Sequence, residues 1–279
     1  MSSYRFCRTD DIGLLVDALN RCWSPHFPDE APMTPAAFKR SIRDLQVWCS
    51  SCMVAFTGPD PIGVLIGAKR PSGTLIHKIA VHPDHGRQGH GRHLLESLSS
   101  KLAILGPPRI VAEVPETFAA ASGLFDAGGY VPEGLLTDYV WQGETDNEAP
   151  KGEEGFVIPV TVDDLDANGL LDEDHHQTCW ERSVETLRAR KDDIAGLAAA
   201  SDERIEAYLL IKDGEIVAIR TLIEDGGARL KRLLSHFCAA DTSAVRIPKV
   251  HPAEVSSEFL ETLGFRAAGS HRLYAATAR

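Results

Sequence analysis

No stretch of this chain approaches the ~18 consecutive uncharged apolar residues that would cross a bilayer, so no membrane-spanning helix is expected. The opening residues, MSSYRFCRTDD, carry acids where a secretory leader needs its apolar run. Cysteine is scarce and scattered. Cys7, Cys22, Cys49, Cys52, Cys179 and Cys238 are six in 279 residues, too few for a disulfide framework, so reduced thiols and a cytoplasmic location are expected. Cys49 and Cys52 have redox-type spacing, but they precede a strand and have no second pair for zinc, which leaves two free thiols. A basic surplus is missing as well. The net charge is −11, with 13 Lys and Arg against 14 Asp and Glu in residues 1–143, and 16 against 26 in residues 144–279. Neither half can neutralise a run of phosphates, so extended nucleic-acid binding is not expected. The acidic second half serves solubility, or steers a cationic substrate.

What is present fits two modest globular domains, each large enough for its own core. Residues 143–155, GETDNEAPKGEEG, contain no apolar side chain larger than alanine and read as a linker. The expected domains are residues 1–143 and 156–279, with 144–155 between them. The first half reads as mixed α/β. YRFCR is a strand, Asp10 or Asp11 caps a helix through Leu19, and Thr34 caps another that Pro35 opens. Residues 52–83 give three apolar runs broken by Gly-Pro-Asp-Pro and Pro-Ser-Gly, the pattern of an antiparallel meander. A helix carrying Leu94, Leu95, Leu98 and Leu102 follows and stops at Gly106-Pro107-Pro108. Strand RIVAEV, helix ETFAAASGLFDAGG and strand LLTDYVW complete this half.

Between the meander and the leucine-bearing helix lies HPDHGRQGHGRHLLESL, residues 82–98, with four histidines, two arginines and three glycines. Three readings compete for it. A strand, a glycine-rich turn and a helix start together make an anion site, because the first helical turn leaves up to four amides unpaired at the positive end of the helix dipole. Gly89 and Gly91 let the backbone approach a ligand there, and Arg87, Arg92 and His90 add charge for a phosphate. A metal site is the second reading: His90 and His93 are one helical turn apart, but no carboxylate or cysteine cluster completes a ligand set, and no metal is expected. The third is a solvated polar loop. The glycine spacing is not the dinucleotide-binding fingerprint.

With its flanks, IAVHPDHGRQGHGRHLLESL resembles the acetyl-CoA-binding segment of the GNAT superfamily of acyltransferases. The downstream order of IVAEV strand, helix, GGY turn and final strand is similar to that family over residues 4–142. The resemblance implies an acyl donor, acetyl-CoA, whose pantetheine arm pairs with the backbone of Ile79, Ala80 and Val81. A backbone N–H of that strand would receive the oxyanion, and Arg87, Gln88, Gly89, His90, Gly91 and Arg92 would hold the pyrophosphate. The sequence also departs from the family pattern. Gly86 stands where Arg or Gln usually begins the loop, and Phe125 stands where a tyrosine often protonates the leaving thiolate.

The second half is similar to the same family more faintly. FVIPV, the helical region near WERSVETLRAR, strands IAGLAAA, IEAYLLI and IVAIRTLI, then SSEFLETLGF and RLYAAT, repeat the order of elements. GGARLKRLLSHF lacks the Gly-x-Gly turn, and the tyrosine position falls on Leu260. The expected architecture is therefore two GNAT-like domains, each a mostly antiparallel twisted sheet flanked by helices, with the second copy degenerate. Transfer of an acetyl group to a primary amine needs a positioned thioester, an oxyanion donor and a base. His77 and Glu113 are the candidate bases; a histidine with an ordinary pKa of ~6.5 suits proton removal near neutrality. The acceptor, a small-molecule or peptide amine, is expected in a cleft shared with the second domain, and the chain is expected as monomer or homodimer. Asp172, Glu173, Asp174, His175 and His176 form a further polar cluster, either a solvated turn or part of that cleft. A non-catalytic acetyl-CoA-binding sensor or scaffold is the opposing reading, motivated by Phe125.

Overall fold

The computed structural model describes residues 2–141, 156–171, 178–240 and 245–279. The expected linker and the acidic–histidine cluster at 172–176 lie outside the described residues. The chain divides into two compact units, one of residues 1–134 with 272–279 and the other of residues 135–271.

In the first unit, β1 (Ser2–Phe6), β2 (Met53–Thr57), β3 (Asp60–Arg70) and β4 (Gly73–Val81) form an antiparallel meander, and β5 (Arg109–Pro115) follows in parallel to β4. Helices α1 (Ile12–Cys22) and α2 (Pro35–Leu45) come between the first two strands, α3 (His90–Leu105) follows β4, and α4 (Ala119–Ala127) follows β5. Thr34 caps α2 as its sequence predicts, its hydroxyl accepting from the Ala37 amide at 3.1 Å. Asp11 stands at the N-cap of α1, but its carboxylate goes to the Arg5 guanidinium and the Arg8 amide instead. The core joins Leu94, Leu95, Leu98 and Leu102 of α3 to Ile110, Ala112 and Val114 of β5 and to Phe125 of α4.

The long strand β6 (Val131–Trp141) and the last strand β12 (Phe265–Thr277) each contribute to both units. Arg272–Thr277 lies next to β5 in the sheet of the first unit and buries Tyr274 completely among the α3 and α4 side chains. The chain end is tied there too: the Ala278 amide donates to the Pro108 carbonyl and the Arg279 amide to the Ser99 hydroxyl at 3.1 Å. Thus the first core takes in Tyr274, a residue far along the chain from the rest of that unit.

The second unit repeats the architecture. β7 (Phe156–Val160), β8 (Ala195–Ala200), β9 (Ile205–Lys212) and β10 (Glu215–Thr221) are an antiparallel meander, and β11 (Arg246–Val250) pairs in parallel with β10. Helices α5 (Val162–Ala167), α6 (Val184–Ala189), α7 (Ala228–Ala240) and α8 (Ser257–Thr262) accompany these strands. Arg182 is fully buried against Glu254, a pair whose side chains are 1% and 6% exposed, and it also donates to the Ile216 carbonyl at 2.8 Å. Cys7, Cys22, Cys49, Cys52 and Cys179 are buried and free. No described helix is long and apolar enough to cross a membrane.

Candidate active site

β4 pairs with β3 from Gly73 to Val81, but the register slips between Ile66 and Gly67, which oppose Lys78 and Ile76. His77 is therefore the extra residue of a β-bulge, a device that bends a strand and increases its twist. On the other side, the ladder between β4 and β5 holds only Thr74 with Ile110 and Leu75 with Val111. Beyond those two rungs the strands run on, unpaired to each other, to Val81 and Pro115. An extended molecule can add itself between such diverging strands as a further strand does.

Ile79, Ala80 and Val81 lie on this unpaired stretch, with Ile79 packed on the core and Ala80 buried. Val81 leads into the loop at the start of α3. The His82 amide donates to the Ile62 carbonyl at 2.9 Å, and Pro83–His85 form a 3-10 turn. Arg87 takes φ +61 and Gly89 φ +86. Gly89 is the N-cap of α3, and no side chain caps that helix. Arg87, Gln88 and Gly89 are all exposed. Gly91 serves packing instead. A Cβ there would stand 3.2 Å from Leu124, so glycine lets α3 and α4 approach closely. The loop therefore offers exposed backbone amides at a helix start beside Arg87, an arrangement suited to an anion.

Two charged candidates are engaged elsewhere. Arg92 pairs with Glu96 at 2.7 Å along the helix surface. His90 turns inward, 6% exposed, with Nδ1 2.6 Å from the Tyr4 hydroxyl, while the His93 ring lies tilted against the Tyr4 ring at 3.8 Å. His82 Nδ1 accepts from the Asp84 amide at 3.3 Å. Among the described residues, no group of three or more His, Cys, Asp or Glu is placed to hold a metal ion.

His77 and Glu113 lie on the two strands past their last shared rung, both half-buried. Glu113 is on the face of β5 opposite the buried row Ile110, Ala112 and Val114. Phe125 is 2% exposed, with its ring 5.1 Å from Tyr130 and stacked 5.5 Å from Tyr274. Burial pushes the Tyr130 phenol pKa well above its usual value.

A further group escaped the reading of the sequence. In the connection between α1 and α2, Trp23 stacks on Phe27 at 4.2 Å, and Phe27 meets Phe118, just past β5, at 4.9 Å. The Lys78 ammonium of β4 lies 3.8 Å over the Trp23 ring and 3.3 Å from Glu30, which also accepts from the Trp23 indole at 2.9 Å. His26 Nε2 donates to the Val81 carbonyl at 2.8 Å. WSPHFPDE, with its two prolines, reads in sequence as a plain loop; only long-range packing brings Phe118 to it.

The second unit has a counterpart of this loop with a different outcome. β10 carries its own register slip between Ile216 and Ala218, and Gly226 and Gly227 take φ +63 and +84 before α7. Here the Asp225 carboxylate accepts from the Gly227 and Arg229 amides, each at 2.9 Å. Burial opposes the Asp225 charge, but the Arg229 and Gly227 amides and the Arg229 guanidinium outweigh it and hold the carboxylate below its usual range. Arg229 also pairs with Glu206. An internal anion thus satisfies the helix start.

Residues 14–130 match the sequence profile of the acetyltransferase (GNAT) family. The first half thus matches the GNAT family, for which acyl transfer is the general chemistry. Solved structures extend the likeness of fold to the whole chain. A tandem GNAT protein from the clavulanic acid biosynthesis pathway matches 100% of this chain and 99% of its own at 14% identity, with a TM-score of 0.67. A GCN5-related N-acetyltransferase from Sphaerobacter thermophilus matches 100% and 96% at 14% identity and 0.66. A putative acetyltransferase from Pyrococcus horikoshii matches 100% and 90% at 17% identity and 0.63. The fold is therefore a tandem GNAT arrangement. A search of curated proteins finds no match.

Proposed function

We propose that the first unit binds acetyl-CoA and transfers its acetyl group to a primary amine. The observation that carries this reading is the divergence of β4 from β5 next to the uncapped, glycine-bearing start of α3. The pantetheine arm lies along Ile79–Val81, and the pyrophosphate rests on the amides that follow Gly89, with Arg87 and Gln88 beside them. His90, turned to Tyr4, and Arg92, paired to Glu96, act on this loop by packing and by long-range charge.

In the reaction, the amine nitrogen attacks the thioester carbonyl and a β4 backbone N–H receives the developing oxyanion. The carbon–sulfur bond breaks, the amine proton passes to His77 or Glu113, and the thiolate takes up a proton to leave as free coenzyme A. The scattered cysteines, with Cys7, Cys22, Cys49, Cys52 and Cys179 buried as free thiols, support a reducing, cytoplasmic setting. The experiment is calorimetric titration with acetyl-CoA, followed by a thiol-release assay over a panel of amines. No heat of binding refutes the reading. Binding without turnover favours an acetyl-CoA sensor, which the packing of Phe125 against Tyr130 and Tyr274 supports, because no phenol stands at that place on α4.

We further propose one acetyl-CoA per chain. Asp225 already occupies the helix-start amides of the second unit, and a carboxylate there repels a pyrophosphate.

A further inference from the structure

We infer that the acceptor is a monoamine with an aromatic body, an arylalkylamine, and that Trp23, Phe27 and Phe118 form the wall that selects it. The inference rests on the acyl-transfer reading and specifies its acceptor.

The three rings bridge the two strands where their ladder has ended. Trp23 sits on Lys78 of β4, His26 fastens the same connection to the Val81 carbonyl, and Phe118 follows the end of β5. Trp23 and Phe27 stack face to face, and Phe118 meets Phe27 tilted at 53°, so the facing surfaces of the first two rings are spent on each other. Their edges remain, since all three side chains are only half-buried. Aromatic edges favour contact with the face of another ring.

The charges here disfavour a polycation. Glu30 is held by Lys78 and the Trp23 indole, and Glu116 is paired with Arg272 at 3.0 Å. With both acids paired, neither carboxylate is free to attract a second ammonium on the substrate, and a single amino group headed for the thioester leaves its ring among the aromatic edges. Arg109, at the far end of β5, is paired with Glu133, and His77 and Glu113 serve the proton transfer.

The test compares kcat/KM for phenethylamine, ethylamine and spermidine by thiol release, in the wild-type chain and in Phe118→Ala and Phe27→Leu. The wild type is expected to prefer phenethylamine to both others by about tenfold or more. Phe118→Ala should remove most of that preference, lowering kcat/KM for phenethylamine far more than for ethylamine, while the Kd for acetyl-CoA stays within about twofold. Phe27→Leu keeps an apolar side chain in the connection and should show the same selective loss, which separates selection from folding. Spermidine turned over as well as phenethylamine, or all three amines weakened alike by both variants, overturns the aromatic wall while leaving acyl transfer standing. Thiol release with none of the amines despite acetyl-CoA binding sinks the transfer reading and this inference together.

Discussion

Tyr274→Ala is expected to unfold the first unit before the second, although the rest of that unit ends at residue 134. The ring is 0% exposed, stacks on Phe125 at 5.5 Å and belongs to the core of α3, α4 and β5. Truncating a buried aromatic to alanine costs about 3–5 kcal/mol in lost transfer energy and residual cavity. Set against a typical domain stability of about 5–15 kcal/mol, that removes a large share of what the first unit has. At roughly 3–5 °C per kcal/mol for a domain of this size, its transition should fall by about 10–20 °C. Calorimetric melting should show that transition shifting alone, with Arg182, Glu254 and the second unit's core melting as before. Saturating acetyl-CoA should restore part of the loss by mass action, about 2.7 kcal/mol at one hundred times Kd. Tyr274→Phe keeps the ring and should stay within about 1 kcal/mol of the wild type. A Tyr274→Ala transition within about 2 °C of the wild type would refute the placement of the C-terminal strand in this core. For the same reason, a fragment of residues 1–143 should be poorly folded.

Four further outcomes are expected. Gly89→Glu combines a non-glycine side chain at φ +86 with a like charge facing the pyrophosphate, and should weaken acetyl-CoA binding at least tenfold, ~1.4 kcal/mol; Gly89→Asn, which tolerates that backbone, separates strain from charge, and an unchanged Kd by calorimetry for Gly89→Glu rejects the loop. His77→Ala should lower kcat by roughly 10²–10⁴ and remove the acid-limb inflection of the pH–rate profile while leaving Kd near wild type, and the same pattern from Glu113→Gln instead would exchange the roles. Titration of the full chain should give a ratio near one acetyl-CoA, and a ratio of two would mean that Asp225 yields its amides to a second ligand. Glu254→Ala strands the buried Arg182 charge and should cost the second unit about 3–5 kcal/mol by denaturant unfolding, an outcome that a loss under about 1 kcal/mol would contradict.

Much of each domain is legible locally. The meander of β2, β3 and β4 follows from alternating apolar runs cut by Pro and Gly, and Thr34-Pro35 announces α2 because its capping hydrogen bond is made three residues away. Gly89 announces the start of α3 because its positive φ is a property of one residue. The same local chemistry carries the family resemblance, which is why the first half is recognised more readily than the second. There the helix start survives, but Asp225 has taken over its amides, and Gly226-Gly227 in sequence shows only a turn.

The amino-acid sequence by itself determined the order of elements, the glycine-rich helix start and the pairing of two similar halves, since each depends on residues a few positions apart. The tertiary structure decided that β4 leaves β5 after two rungs, that His90 turns to Tyr4 and away from solvent, that Trp23 and Phe27 meet Phe118, and that Tyr274 closes the core of the first unit. Tyr4 and His90 are 86 positions apart in the chain, and Phe125 and Tyr274 are further apart still. A strand's own pattern specifies which face is apolar and leaves open which neighbour it pairs with; that choice is made by how all the apolar faces are buried at once.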